Sequence, residues 1–196
     1  SCHGLDYIAF RHLEAIGYSE DQTKVLASEY IIEDCCDDLG DIFDRPAIPA
    51  DGIPNPYPNE QWARASNNGS LPPDLSLITK ARANGPDYIY NLILAYEDPP
   101  ADMEEEIMYG MYYNTVFDGN QIAMAQQLFD ELIEYSDGTV ATNEQMAKDV
   151  TAFLHWAAEP KLEVRKQTGV RVLLFTLVFT VLAYFLKRRI WAGLKH

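Results

Sequence analysis

VRVLLFTLVFTVLAYFL, residues 170–186, holds a single charge, Arg171 at its edge. Seventeen residues is the short end of what crosses a bilayer as a helix. Thr168 and Gly169 lengthen the run, and flanking cations reach the interface along their own methylene stems. Lys187, Arg188 and Arg189 close it, and Trp191 stands where an interfacial aromatic belongs. A buried core helix is rarely apolar on every face and then ended by three cations. The stretch therefore reads as one membrane-spanning helix near the C-terminus.

Charge divides the chain at the same place. The net charge is −15 over 196 residues. Residues 161–196 carry eight Lys and Arg against Glu163, a net of +7, which leaves −22 on residues 1–160. The expected organisation is an acidic water-soluble domain over 1–160, a basic connector over 161–169, the span over 170–186 and a short basic tail over 187–196. About 150 residues can bury a core, and the Tyr, Phe, Leu and Ile content excludes a disordered acidic tail. So acidic a surface repels nucleic acid and suits a basic protein partner.

Three cysteines, Cys2 and the adjacent Cys35 and Cys36, do not make a disulfide framework. Neighbouring cysteines close only a strained ring, so Cys35 and Cys36 are expected as free thiols. The chain opens without an initiator Met or signal peptide, which is the pattern of a processed or truncated N-terminus.

Helical spacing recurs in several segments. NEQMAKDVTAFLHWAA (143–158) puts Met146, Val150, Phe153, Leu154 and Ala157 on one face. Thr142 followed by Gln145 is a capping-box start, and Pro160 ends or bends the helix. Shorter helices are expected over 5–16, 20–30, 75–81 and 86–96. Residues 34–62, rich in Asp, Pro, Gly and Asn, read as one long loop, and 99–119 as loop with extended structure around 107–116. The fold class is mainly α, loop-rich, with little strand. Such a domain often wraps a prosthetic group that supplies part of its core.

Cys2-His3 is the second half of the haem-attachment pattern C-x-x-C-H, whose first cysteine would fall two residues before Ser1. On the dipeptide alone, chance is the plainer reading. Met124, in QIAMAQ (121–126), could be a thioether ligand to iron, or a core methionine filling a gap. His12 and His155 are single histidines on amphipathic segments and read as structural or surface residues. No H-x-x-x-H pair, Ser/His/Asp set or glycine-rich phosphate loop is present. Glu104, Glu105 and Glu106 read as a solvated or docking face.

Taken together the motifs resemble the cytochrome c1 family, the c-type haem subunits of ubiquinol–cytochrome c oxidoreductase, respiratory complex III. The resemblance runs through CHGLDYIAFRHL (2–13), PYPN (56–59), ARASNNGSLPPDLS (63–76), KAR (80–82), Asp87-Tyr88, MYYN (111–114), IAMA (122–125), YSDG (135–138), AKDV (147–150) and WAAEP (156–160), all in the family's order, with the tail anchor in the family's place. Met124 is followed by Ala-Gln-Gln where members often have Ala-Pro-Pro.

The resemblance implies a fold: a loop-rich c-type cytochrome domain wrapped round one haem, then a single C-terminal transmembrane helix. It also implies roles. Haem c is attached through Cys2, with the second thioether undetermined. His3 and Met124 are the axial iron ligands. Arg82 faces a haem propionate, which suits a guanidinium, and Asn67, Pro73 and Tyr88 line the pocket. The implied function is a membrane-anchored electron carrier, not an enzyme alone, passing single electrons from the Rieske iron–sulfur protein to soluble basic cytochrome c. Cytochrome b and the Rieske subunit are the implied partners in a dimeric complex.

The haem domain would face the intermembrane space of a mitochondrion, or the periplasm in a bacterium, with 187–196 on the opposite side. Charge does not orient the helix, because Lys161, Arg165, Lys166 and Arg171 balance Lys187, Arg188, Arg189 and Lys195. Acids within 34–44 and 97–106 are the expected face for the basic partner. The rival reading is a haem-free, tail-anchored acidic docking subunit.

Overall fold

A computed structural model describes residues 1–193. The chain divides into two compact units, one of Ser1–Pro160 and one beginning at Lys161. Lys195 and the rest of 194–196 lie outside the described residues.

The first unit is helical with two small antiparallel ribbons. After an irregular start, a 3-10 helix covers Phe10–Ile16, shorter than the helix expected over 5–16. Residues 2–7 are instead drawn out by hydrogen bonds to another part of the chain, described below. Gly17, at φ 109°, ends the turn in a left-handed conformation that glycine takes without a Cβ clash. Helix α1, Glu20–Ser28, starts in the reciprocal way its sequence dictates. The Gln22 amide donates to Ser19 Oγ at 3.2 Å, and the Ser19 amide to Gln22 Oε1 at 2.8 Å.

The long loop expected over 34–62 is in part ordered. Strand β1, Ile31–Asp34, pairs with β2, Phe43–Pro46, in the register Ile31 with Pro46 and Asp34 with Phe43. Arg45 locks this hairpin. Its guanidinium donates to Asp34, and to both carboxylate oxygens of Asp51 at 2.7 and 3.0 Å. Pro46 sits at an edge, the place where a strand tolerates proline. At the tip, the free thiols expected at Cys35 and Cys36 are not found. The two are joined to each other across a cis peptide bond, with their Cα atoms 3.0 Å apart.

Helix α2, Glu60–Ser66, is capped by Asn59, whose Oδ1 accepts from the Trp62 amide at 3.0 Å. Two further helices follow, α3 at Ile78–Ala81 and α4 at Gly85–Leu94. A short ribbon then pairs β3, Tyr112–Tyr113, with β4, Gln121–Ile122. Helix α5 runs Asn143–Ala158, the bounds its periodicity predicts. Only half of the capping box forms. The Gln145 amide donates to Thr142 Oγ1 at 3.1 Å, but the Gln145 side chain turns to Asp149 instead.

Helix α5 organises the core. Met146, Ala147, Thr151, Leu154, Ala157 and Ala158 are buried along it. Leu154 packs with Ile78 of α3 and Ile89 of α4 in one cluster. A second cluster joins Phe10, Leu13, Ala27 and Ala47. Phe153 touches both, so α5 is the seam between them. Fully burying side chains of this size stabilises by about 1.5–3 kcal/mol each.

The loop from α4 to β4 turns on Asn114, which is fully buried. Its Nδ2 donates to Leu92 O at 2.9 Å, and its Oδ1 accepts from the amides of Val116 and Phe117 at 3.1 and 3.0 Å. One side chain thus closes the turn and fastens it to the end of α4, satisfying groups that would be costly to bury unpaired.

The second unit is α6, Leu162–Trp191. It is longer than the apolar run because its cationic flanks also favour helix. Its most apolar eighteen residues have a mean hydropathy of 2.1. The helix is long and apolar enough to cross a membrane. Thr180 Oγ1 donates to Thr176 O at 2.7 Å, which satisfies a hydroxyl inside the apolar stretch. Lys187 Nζ lies 5.9 Å from the centre of the Trp191 ring.

Candidate functional site

The N-terminal segment lies against residues 73–76 and is stitched to them. His3 Nδ1 is 2.7 Å from Pro73 O. The Leu75 amide donates to Gly4 O at 2.9 Å, the Asp6 amide to Asp74 Oδ2 at 2.8 Å and the Tyr7 amide to Ser76 Oγ at 3.1 Å. Asn55 Nδ2 adds a bond to Asp6 Oδ1 at 2.7 Å. A Cβ at Gly4 would fall on Asn55 Oδ1, so a larger residue there would displace the Asn55 side chain from Asp6. Ser76 is fully buried and its amide is held by Asp74 Oδ1 at 2.9 Å, so the support is itself fixed.

This stitching decides the state of the His3 ring. A carbonyl oxygen only accepts, so Nδ1 carries the proton and donates to Pro73 O. In the neutral ring this leaves Nε2 its lone pair at a fixed orientation, the arrangement a metal-binding histidine uses. Cys2 is a free cysteine and half-buried. It lines a cleft of about 280 Å³ together with Tyr57, Ala63, Leu71 and Pro72. Asn67 stands behind that wall, its Nδ2 donating to Tyr57 OH at 3.1 Å and to Ala63 O at 2.6 Å.

Met124 follows β4 by two residues and is half-buried. Its carbonyl accepts from the hydroxyl of Tyr96 at 2.9 Å. Burial pushes the Tyr96 hydroxyl up to about 12, so it stays a donor at neutral pH. Beside this segment lies a second cleft of about 750 Å³, lined by Tyr96, Met111, Tyr113, Ala125, Gln126 and Phe129 among others.

The remaining candidates are more dispersed. Arg82 is exposed at the end of α3, with Nη1 donating to Ala81 O at 3.2 Å. Tyr88 is half-buried on α4 against the Ile78, Ile89 and Leu154 cluster. Among the described residues, no hydrogen bond joins Arg82 or Tyr88 to Cys2, His3 or Met124, or joins His3 to Met124. Hydrogen bonds and the lining of one cleft thus connect His3 with Pro73, and Cys2 with the Tyr57 and Ala63 that Asn67 holds. No group of three or more His, Cys, Asp and Glu side chains converges among the described residues.

The donors fit a c-type haem. A histidine with Nε2 left open by its own hydrogen bond and a thioether on an anchored loop are N and S donors of the kind a haem iron takes, and a free thiol one residue before the histidine is the group that would bond the porphyrin edge. They do not form a zinc set, which takes four Cys, His or carboxylate ligands. Sequence reasoning missed three supporting residues: Asn55, Tyr96 and Asn114. Each acts on a group far along the chain, Asn55 on the Asp6 carboxylate and Tyr96 and Asn114 on the carbonyls of Met124 and Leu92, and spacing carries no signal for that.

Comparison with known proteins identifies the family. The family model described as "Cytochrome C1 family" matches residues 1–194. The mitochondrial "Cytochrome c1, heme protein" of Schizosaccharomyces pombe is 47% identical over 196 residues, covering 100% of this chain and 63% of that protein. The "Cytochrome c1" of Rhodospirillum rubrum is 46% identical over 210 residues, covering 100% of this chain and 77% of that protein. The "Cytochrome b/c1" of Bradyrhizobium diazoefficiens is 46% identical over 212 residues, covering 98% of this chain and 31% of that protein. The chain thus spans less than two thirds of the length of the fission-yeast relative.

Proposed function

The chain belongs to the cytochrome c1 family, and from that membership we propose that it is the c-type haem subunit of a ubiquinol–cytochrome c oxidoreductase complex. In this reading it is a membrane-anchored carrier of single electrons from the Rieske iron–sulfur protein to soluble cytochrome c. It is a redox subunit, and catalysis belongs to the complex.

The observation that carries the reading is the hydrogen bond from His3 Nδ1 to Pro73 O, which presents Nε2 as a ligand next to the Cys2 thiol. Haem c bound there supplies a reversible one-electron centre. Cys2 holds the group covalently, His3 and Met124 ligate it, Asn67 and Pro73 shape its cleft, and Arg82 and Tyr88 complete its surroundings. The chain's own part is to bind, orient and shield the group, with no side chain acting as acid or base. A thioether ligand such as Met124 raises the reduction potential, which suits delivery to a downstream acceptor.

The −22 of residues 1–160 supports a basic partner, since complementary fields steer encounter and speed association. The structure narrows the acids free for that task. Asp34 and Asp51 are engaged by Arg45, and Asp37 holds the hairpin tip through the amides of Leu39 and Asp41. Asp38, Asp41, Asp44, Glu104 and Glu105 are exposed and make up the steering set. Cytochrome b and the Rieske protein are the partners around α6 in a dimeric complex. Relatives described as mitochondrial support the mitochondrial inner membrane, and the bacterial relatives support the bacterial cytoplasmic membrane as the alternative.

The test is stopped-flow mixing of the chemically reduced chain with oxidised basic cytochrome c. Rapid second-order oxidation that slows as salt rises is expected. Salt-sensitive binding with no electron transfer would instead establish the haem-free docking subunit.

A further inference from the structure

Met124 occupies a segment with little regular support of its own. Strand β4 ends at Ile122, and beyond Met124 the side-chain bonds are local: Gln127 Nε2 to Ala125 O at 2.9 Å and Gln126 Nε2 to Leu128 O at 3.0 Å. Neither fixes the segment against the rest of the domain. The bond that does reach Met124 itself comes from Tyr96, 28 residues earlier, whose hydroxyl donates to the Met124 carbonyl at 2.9 Å.

Tyr96 is in turn well placed to hold something. It follows α4, pairs by an isolated β-bridge with Asn114, and is flanked by the Thr115 amide donating to Ala95 O at 3.1 Å. Asn114 ties the same turn to Leu92. The donor is thus fixed to the helical core at its backbone, and its ring reaches across to the ligand segment.

We infer that Tyr96 is the positioning residue for the Met124 thioether: its hydroxyl clamps the Met124 backbone so that the sulfur stays within reach of iron. This rests on Met124 being an axial ligand. Tyr96 does not touch the iron in this role. It lowers the freedom of the one residue whose side chain must span to the metal, and a fixed backbone makes the bond to a weak thioether donor favourable where a mobile one would lose it to entropy. Removing the hydroxyl should leave the fold and the covalent haem in place and release the methionine.

The experiment uses the full haem-loaded chain in detergent and three variants. Tyr96→Phe removes only the hydroxyl. Tyr135→Phe removes another tyrosine hydroxyl bond, the 2.6 Å contact to Asp149, and controls for general loosening. Met124→Leu removes the proposed ligand. The readouts are the weak far-red sulfur-to-iron charge-transfer band of the oxidised form, carbon monoxide binding by the reduced form, and helicity by circular dichroism. Tyr96→Phe is expected to lose the band and gain carbon monoxide binding at unchanged helicity, with Tyr135→Phe unaltered in both.

A second perturbation covers the case in which Tyr96→Phe does not fold. An amide-to-ester replacement between Met124 and Ala125 weakens the accepting carbonyl with every side chain retained, and should weaken the band in the same way. A band preserved in Tyr96→Phe but lost in Met124→Leu overturns the clamp and leaves the ligand assignment standing. A band preserved in Met124→Leu overturns the ligand assignment and the clamp with it. Equal losses in Tyr96→Phe and Tyr135→Phe also overturn the clamp, since the effect would then be general.

Discussion

His3 and Pro73, seventy residues apart in sequence, are joined by a hydrogen bond of 2.7 Å from the imidazole Nδ1 to the backbone carbonyl. The acceptor is main chain, so the proline side chain is not what orients the ring. Pro73→Ala keeps the carbonyl and should keep the low-spin haem spectrum. Its cost is about 1 kcal/mol or less, through a looser unfolded chain and loop. His3→Leu should lose the low-spin spectrum altogether. Absorbance spectra and urea midpoints of the two variants check this together.

Asn114 is the most heavily used buried side chain of the α4-to-β4 loop, with one donated and two accepted bonds. Asn114→Leu leaves Leu92 O and the amides of Val116 and Phe117 without partners. Each buried group left unpaired costs about 1–3 kcal/mol, so a loss of about 3 kcal/mol is expected from denaturant titration. Asp118→Ala, which removes an exposed side chain in the same loop, should cost much less.

Acid should loosen the β1–β2 hairpin before it unfolds the domain. The Arg45 guanidinium holds the carboxyls of Asp51 and Asp34 below the usual 3.8. Because the folded-state value is depressed, the stabilisation is full above the unfolded value. It disappears as pH falls through the folded value. Asp51→Asn should therefore be less stable than the parent at neutral pH, and the difference should begin to shrink only as pH falls below 3.8 and close as pH falls through the depressed folded-state value. Urea midpoints from pH 7 down to about pH 2 measure it, and a difference constant over that range would refute the coupling.

Charge reversal at Asp38, Asp41 and Asp44, or at Glu104 and Glu105, should slow electron delivery to basic cytochrome c at low salt and flatten its salt dependence. Asp37 is excluded from that set because it holds the hairpin tip. Stopped-flow rates at two ionic strengths decide it, and unchanged rates with unchanged salt dependence would remove these acids from the docking face.

The parts of the fold that were legible in the sequence are those where local pattern and final environment agree. Thr142 and Pro160 bracket α5, and its periodicity gives its buried face. The apolar run of α6 identifies itself by composition. The β1–β2 hairpin was hidden because its pairing depends on Arg45, a single cation between two distant carboxylates. Its composition of Asp, Gly and Pro otherwise reads as loop.

The start of the chain was read as helix because Leu5, Ile8 and Leu13 have helical spacing. Residues 73–76 win the backbone of 2–7 instead. The candidate site followed the same division. Cys2, His3 and Met124 could be named from motifs and resemblance. The residues that orient them, Pro73 through its carbonyl, Asn55 and Tyr96, act across the fold and leave no periodic trace.

The most direct measurement is a pyridine haemochrome spectrum of the purified chain after extraction of loose haem, taken beside Cys2→Ala. A c-type haem held on Cys2 predicts covalent absorbance in the parent. A band displaced to the red of the two-thioether position would mean that Cys2 alone is attached. Cys2→Ala should lose covalent haem or shift its band further to the red. No covalent haem in the parent, or identical spectra for the two proteins, would contradict an electron carrier built on Cys2 and His3.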